Sequence, residues 1–228
     1  MNQKNKYYRI FLSVVLFLPA TAFAQTNDLY SLTLDNFRSL NKFNEEIDLK
    51  NPDILRLNAA IFFVTNEIRV KKRLDFLPHQ YQLEQMAENY SKEMVKYNFF
   101  SHNHIKSKKL YTPKDRAIYA GIPNPYIAEN IIEGYLLRYN NNSKVIVDGP
   151  GEFRDSVTKN KIPPHTYLSL ADDLVDRWMH SKGHRANILS KDAKQLGCGV
   201  AIYINKTFND MPSLKATQNF QLYELVKE

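Results

Sequence analysis

The chain has 228 residues, of which 24% are charged and 43% are hydrophobic, and its formal net charge at pH 7 is +7. This length and an ordinary globular composition predict one domain with one hydrophobic core. The basic residues are scattered or lie near the N-terminus, and the cluster Lys106, Lys108 and Lys109 is typical of a solvated loop, so a nucleic-acid-binding protein is not expected.

The first 24 residues have the three parts of a signal peptide. Basic residues within positions 1–9 precede the apolar run 10–18, and Ala22 and Ala24 supply the small residues of a cleavage site. Cleavage after Ala24 leaves 204 residues with a net charge of +4 and no segment long and apolar enough to cross a bilayer. We therefore predict a secreted protein, periplasmic or extracellular, that begins at Gln25; an uncleaved anchor is the alternative.

Cys198 is the single cysteine of the chain, so an exported protein of this sequence forms no internal disulfide and depends on packing for its stability. It lies between Gly197 and Gly199 at the start of an apolar run. This setting predicts a small buried side chain on a strand. A nucleophilic thiolate requires a basic and partly exposed environment instead.

Weak periodicity and mixed polarity in residues 25–50 predict an N-terminal extension, and the domain proper is assigned to residues 51–228. Apolar residues at spacings of three and four then predict one helix that begins near Asp53 and another that ends near Tyr97. Turn-forming and charged residues follow, and they predict a loop with a short helix at 115–120.

A third helix is predicted from Ser169, which is followed three residues later by Asp172. It is expected to stop at Gly183, because glycine commonly ends helices. Two strands are predicted after it, at 199–204 and 216–225.

Residues 138–164 differ in composition from the segments on either side. Clusters of Asn, Gly and Pro frame the short β-prone run 145–147. We interpret this segment as a surface insertion with room for a hairpin of its own.

Chemically distinctive residues occur at four places that are far apart in the sequence. They are Phe-Phe-Ser-His-Asn-His at 99–104, Ala-Glu-Asn at 128–130, Trp-Met-His-Ser-Lys-Gly-His-Arg-Ala-Asn-Ile-Leu at 178–189, and Ala-Thr-Gln-Asn-Phe at 216–220. In this order they resemble the motifs of bacterial members of the CAP superfamily, which includes cysteine-rich secretory, antigen 5 and pathogenesis-related proteins. The resemblance covers residues 53–225.

The resemblance implies an α+β fold: a three-layer α-β-α sandwich with a small, mainly antiparallel sheet and a cavity that opens on one side. In the family, two histidines and two acidic residues converge on that cavity. His102 and His184 match the two histidines, and Glu129 matches the first acid. Ser181 occupies the position of the second acid, which bacterial members often lack. The predicted cavity residues are therefore His102, Glu129, His184 and Ser181.

Two neutral imidazoles and one carboxylate form a donor set that suits zinc or another divalent metal, with water as the fourth ligand. We predict His102, His184 and Glu129 as the metal site, with Glu129 either on the metal or bonded to an imidazole. Only the family resemblance brings the three together, because no two of them have helical spacing. In the structural alternative, His184 caps the helix ending at Gly183 and Glu129 bonds to it.

The other histidines are interpreted separately. His104 is close enough in sequence to His102 to approach the same cavity, His180 is expected to point elsewhere, and His165 is expected to be exposed. Trp178 is assigned to the apolar stripe of the third helix and Asn187 to a backbone hydrogen bond.

Three functional classes are compatible with the sequence. The favoured one is an extracellular binding or interaction module whose partner is an unidentified ligand, such as a lipid or a cell-surface molecule. The second is a metal-assisted hydrolase or peptidase with Glu129 and His184 as catalytic candidates and His102 as a further ligand; the missing acid at Ser181 counts against it. The third is a carrier of sterols or other lipids, which requires a continuous apolar groove.

Overall fold

The computed structural model of the protein describes residues 29–139 and 143–225, so the predicted signal peptide lies outside the described residues. The helices in this part of the chain are α1 (Asn41–Asn44), α2 (Ile54–Lys71), α3 (Tyr81–Lys96), α4 (Pro113–Tyr119), α5 (Tyr167–His180) and α6 (Lys182–Ile188). The strands are β1 (Ile127–Tyr135), β2 (Val145–Gly149), β3 (Glu152–Asp155), β4 (Ala193–Asn205) and β5 (Met211–Leu222).

The central sheet is antiparallel and three-stranded, in the order β1-β5-β4, which makes β1 an edge strand. α3 packs against β4 and β5, while α2 packs against β4 and α5, and α5 also contacts β1. The predicted α-β-α sandwich with a small antiparallel sheet is confirmed.

Alternation along β1 assigns its side chains to the two helical layers. Ile131 packs with Tyr90 of α3, whereas Ile132 joins the larger core with Leu174 of α5. Trp178 is fully buried in that larger core, and its indole N–H donates to the carbonyl of Ile131 at 3.1 Å. Its predicted place on an apolar helical stripe is confirmed.

Two glycines of β4 allow α3 to lie against the sheet at close range. A Cβ atom on Gly197 would lie 2.1 Å from the amide nitrogen of Glu84, and one on Gly199 would lie 2.1 Å from that of Glu88. Cys198 lies between them, is fully buried and belongs to the core on the opposite face. The sequence-based interpretation of Cys198 as a buried strand residue is confirmed.

The predicted start of α2 and the predicted end of α3 agree with the structure, and the short helix predicted at 115–120 is α4, which begins two residues earlier. The carboxylate of Asp53 accepts a hydrogen bond from the amide of Arg56 at 3.0 Å and caps α2. α3 ends at the residue before Tyr97. Thr112 and Asp115 form a reciprocal capping box at the start of the predicted short helix, α4.

The third predicted helix differs at both ends. α5 begins at Tyr167 because Thr166 is the capping residue, and Ser169 is its partner in a capping box rather than the cap itself. The helix ends at His180, and Gly183 lies inside the separate helix α6. The prediction that it stops at Gly183 is therefore wrong.

The N-terminal segment, predicted as an extension, packs into the same core as the helices. Its apolar side chains are buried at Leu29, Phe37, Phe43 and Ile47. The guanidinium of Arg38 ties the segment to the second and fifth helices through ion pairs with Glu67 and Asp172. The segment therefore contributes to the core of the domain although its periodicity is weak.

The segment 138–164 contains the antiparallel hairpin of β2 and β3. Phe153 and Ile162 from this segment are buried in a small separate core with Leu137 and Met211. The hairpin thus packs on the end of the domain where β5 begins.

Candidate functional site

Three elements that are distant in sequence bring polar side chains together at the edge of the sheet. His102 lies in the loop after α3, Glu129 on the edge strand β1, and His184 on α6. Glu129 lies two residues before Ile131 and therefore points to the same face of the sheet, toward α3. Its side chain is only 1% exposed, whereas that of His102 is 48% exposed.

His102 is oriented by Glu129. Its Nδ1 atom lies 2.9 Å from Oε1 of Glu129. An ionised carboxylate only accepts hydrogen bonds, so this contact places a proton on Nδ1; in the neutral ring, the lone pair of Nε2 is then left for another partner. A carboxylate that holds an imidazole in this way is the usual support of a histidine metal ligand.

The second oxygen of Glu129 is occupied by Arg116. Nη2 of Arg116 lies 2.6 Å from Oε2 of Glu129, and the guanidinium also donates to the backbone carbonyl of His102 at 3.2 Å. Arg116 is buried, and its Cζ atom lies over the ring of Tyr90, 3.4 Å from the ring centroid. Arg116 therefore neutralises Glu129 and fixes the loop that carries His102.

A pair of asparagines holds α6 against β1. Nδ2 of Asn187 donates to Oδ1 of Asn130 at 2.9 Å and to the carbonyl of Glu129 at 3.3 Å. Nδ2 of Asn130 donates in turn to the carbonyl of His184 at 3.2 Å. The predicted backbone contact of Asn187 is found, and this network sets the position of His184 beside the His102 loop.

The two imidazoles are neighbours. The ring centroids of His102 and His184 are 6.5 Å apart and the rings are inclined by 56°. Burial lowers the pKa of His184, and the neighbouring His102 lowers it further. His184 is thus held in the neutral form, which is the form that binds metals.

The geometry fits a two-histidine metal site better than one with three protein ligands. Two imidazoles on one tetrahedral zinc ion, with Zn–N bonds of about 2.0–2.1 Å, have centroids about 5 Å apart, so the rings must approach by about 1 Å. Both oxygens of Glu129 have partners, which favours its role as a support of His102. Within residues 29–139 and 143–225 there is no group of three or more His, Cys, Asp or Glu side chains able to hold a metal ion.

Two other histidines differ from the sequence-based interpretation. His104 is buried away from the site, with Nε2 3.0 Å from Glu93 and Nδ1 accepting from the amides of Lys106 and Ser107. It organises the loop instead of approaching the cavity. His165 is not exposed as predicted: burial lowers its pKa, because it packs under the start of α5.

His180 and Ser181 lie at the end of α5. Ser181 joins the two helices, since its amide donates to the carbonyl of Trp178 and its carbonyl accepts from the amide of Arg185. His184 does not cap a helix that ends at Gly183, because that helix ends earlier. His180 points away from the site as expected, with 78% of its side chain exposed.

Arg116 and Tyr90 are parts of this site that the sequence did not indicate. Arg116 is a single basic residue in a short helix, and Tyr90 reads as one of several apolar positions on the α3 stripe. Neither lies in a recognisable motif. The only available signal was that a buried Glu129 requires a cationic partner.

Residues 62–220 match the sequence profile of the Cysteine-rich secretory protein family, CAP. Over 140 residues, or 61% of the chain, the sequence is 30% identical to the Uncharacterized membrane protein YlbC of Bacillus subtilis (strain 168), and the match covers 30% of that protein. No helix within the described residues is both long enough and apolar enough to span a bilayer.

The solved structures that are similar to the chain include two bacterial proteins, an SCP-domain protein and a cysteine-rich secretory protein. An extracellular protein containing a SCP domain from Bacillus anthracis str. Ames matches with a TM-score of 0.50 and 24% identity, over 74% of this chain and 41% of that one. A cysteine-rich secretory protein from Staphylococcus aureus matches with a TM-score of 0.44 and 18% identity, over 74% and 39% respectively. The chain spans under half the length of these relatives.

Proposed function

Because the chain belongs to the cysteine-rich secretory protein (CAP) family, we propose that it is an exported binding module whose His102 and His184 imidazoles hold a divalent transition metal ion. Zinc is the first candidate, since imidazole nitrogen is among its preferred ligands. The metal, or the surface around it, is the point at which an extracellular partner binds.

The observation that carries this proposal is the contact between Nδ1 of His102 and Oε1 of Glu129 at 2.9 Å. It fixes the tautomer and the direction of an imidazole whose side chain is half exposed. Burial lowers the pKa of the neighbouring His184 and so favours its neutral form. Metal binding requires neutral imidazoles, so the lowered pKa of His184 favours it.

The composition of the site favours weak and reversible binding of the metal ion. It offers two protein ligands where structural zinc sites have four and catalytic sites three. Ser181 supplies no carboxylate at the position of the family's second acid. The rings also need to move together when the metal binds, which reduces affinity.

A binding role is better supported than hydrolysis. A general base needs a carboxylate that reaches the attacking water, but both oxygens of Glu129 are engaged, by His102 and Arg116. The ion pair with Arg116 also neutralises the charge of Glu129. Export is proposed from residues 1–24, whose sequence has the form of a cleavable signal peptide.

Nuclear magnetic resonance of the imidazole nitrogens tests the assignment of ligands. In the apo protein, the pattern of Nδ1 and Nε2 shifts of His102 should report a proton on Nδ1. Added zinc should shift Nε2 of His102 and one ring nitrogen of His184, and leave His180 unchanged. Zinc-induced shifts confined to other histidines would refute the proposal.

A further inference from the structure

The loop after α3 and the short helix α4 expose many large apolar side chains. Within residues 29–139 and 143–225, six of the fourteen exposed large apolar residues lie in the segment 97–119, and they are Tyr97, Phe100, Ile105, Tyr111, Ile118 and Tyr119. Ile105 and Ile118 are 55% and 56% exposed. Single exposed apolar residues are common on protein surfaces, but a concentration of them marks a surface that contacts a partner protein, a membrane or a ligand.

Contacts within the segment hold the loop and α4 together. His104 is buried within the loop, where its amide donates to the carbonyl of Tyr111 at 2.9 Å and its ring packs against that of Tyr97, with centroids 5.8 Å apart. Nζ of Lys109 lies 4.1 Å from the ring centroid of Tyr119, which joins the loop to α4. The segment 97–119 therefore forms one continuous part of the protein surface.

The same surface is basic. Four lysines of the segment are exposed, namely Lys106, Lys108, Lys109 and Lys114. Asp115 is the single acidic residue between positions 97 and 119, and its carboxylate accepts hydrogen bonds from the amide and hydroxyl of Thr112. Lys114 and Ile118 lie four residues apart on α4 and so share one face of that helix. Basic and apolar side chains are therefore interleaved on this surface.

This combination fits an anionic lipid bilayer better than a protein or a soluble polyanion. Lysine is depleted at the core of protein interfaces. A polyanion is held mainly through its charges and offers isoleucine side chains no apolar partner. At a bilayer, aliphatic side chains enter the boundary between headgroups and acyl chains, tyrosine rings lie at the level of the headgroups, and lysines attract anionic headgroups.

We propose that the segment 97–119 is a surface that binds anionic lipid bilayers peripherally. Ile105 and Ile118 enter the headgroup boundary, and the four lysines contact the anionic headgroups. The proposal goes beyond metal binding and does not rest on it. His102 lies in the same segment, so membrane binding brings the proposed metal site to the lipid surface.

Sedimentation with lipid vesicles tests this surface. The exported form that begins at Gln25 is used, so that the apolar run 10–18 does not bind lipid itself, and a metal chelator is present. The protein should bind vesicles of equal parts phosphatidylcholine and phosphatidylglycerol about tenfold or more tightly than vesicles of phosphatidylcholine alone. Added salt should weaken the binding.

Paired variants test the charge. Lys106→Gln, Lys108→Gln should weaken binding to the anionic vesicles about tenfold or more. Lys71→Gln, Lys206→Gln removes the same charge from exposed lysines outside the segment, and it should change the affinity by less than about twofold.

A second pair tests the apolar contacts. Ile105→Gln, Ile118→Gln should also weaken binding about tenfold or more, whereas Val157→Gln, Ile204→Gln, at exposed positions elsewhere, should bind like wild type. Unchanged binding in the isoleucine variant would indicate a soluble polyanion as the partner and overturn the proposal. Equal binding to the two kinds of vesicle, or an unchanged lysine variant, would overturn it as well.

Discussion

Arg116 and Glu129 form a buried ion pair, with Nη2 2.6 Å from Oε2 and side chains only 4% and 1% exposed. The pair connects α4 to the edge strand, and through the other oxygen of Glu129 it reaches His102. Glu129 therefore contributes both to the stability of the fold, through Arg116, and to the orientation of His102 in the proposed metal site.

Glu129→Gln should destabilise the protein by about 3–5 kcal/mol, because it leaves the guanidinium of Arg116 buried without a counter-charge. Urea denaturation with zinc removed measures the loss. The double variant Glu129→Gln, Arg116→Met should recover part of it, since neither charge is then left unpaired. Asp148→Asn, which breaks an exposed pair with Arg154, is the control; a loss in Glu129→Gln no larger than in this control would contradict the account.

Gly199→Ala should destabilise the domain by about 1–3 kcal/mol or more, because the added methyl group would overlap the backbone of α3. Gly183→Ala is the matched control: apart from its own helix and chain neighbours, no atom lies within 4 Å of the added Cβ, and the position is helical. It should be neutral or stabilising by up to about 1 kcal/mol. Thermal unfolding compares the two, and equal midpoints would argue against close packing of α3 on β4.

Stability should decrease as the pH falls below about 6.5, the ordinary pKa of histidine. Burial lowers the pKa of His165 and His184 in the folded state. Below the unfolded pKa the unfolded chain binds more protons than the folded one, so the free energy of unfolding decreases until the folded pKa is passed. Urea midpoints in chelator should follow this trend, with a shallower slope in His165→Gln than in wild type. Parallel curves for wild type and His165→Gln would be inconsistent with a lowered pKa of the half-buried His165.

Cys198 should react slowly with thiol reagents in the native state and rapidly in denaturant. It is fully buried, and burial raises the pKa of its thiol, so little thiolate forms. Cys198→Ala should keep the zinc affinity of the wild type. Rapid native labelling, together with loss of zinc binding in Cys198→Ala, would reinstate the thiol as a functional group.

The elements with strong local signals were predictable from the sequence. The stripes of α2 and α3 follow helical spacing, and Asp53 caps α2 through its own side chain, so nearby residues decide these helices. The break between α5 and α6 was not predictable, because Ser181 ends α5 with an extended backbone and not with a glycine. The prediction that α5 stops at Gly183 is wrong because this glycine lies inside α6 and does not end a helix.

The site was only partly predictable. The motifs identified His102, Glu129 and His184, but their contacts depend on tertiary packing. Arg116 reaches Glu129 because α4 lies beside β1, and nothing in the sequence near either residue records that proximity. The burial of the N-terminal segment was not predictable from the sequence either. Its apolar residues reach the core from very short helices, so they show no regular period.

Calorimetric titration with zinc is the most direct test of the central claim, that His102 and His184 form a metal site supported by Glu129. Wild type should bind one zinc ion weakly at neutral pH, and the affinity should decrease as the pH falls, because protons compete for the imidazoles; at His184 this competition begins below the ordinary histidine pKa of about 6.5. His165→Ala and His180→Ala should bind like wild type, and the folded His102→Ala, His184→Ala double variant should show no binding. Zinc binding by that double variant equal to that of wild type would contradict the account.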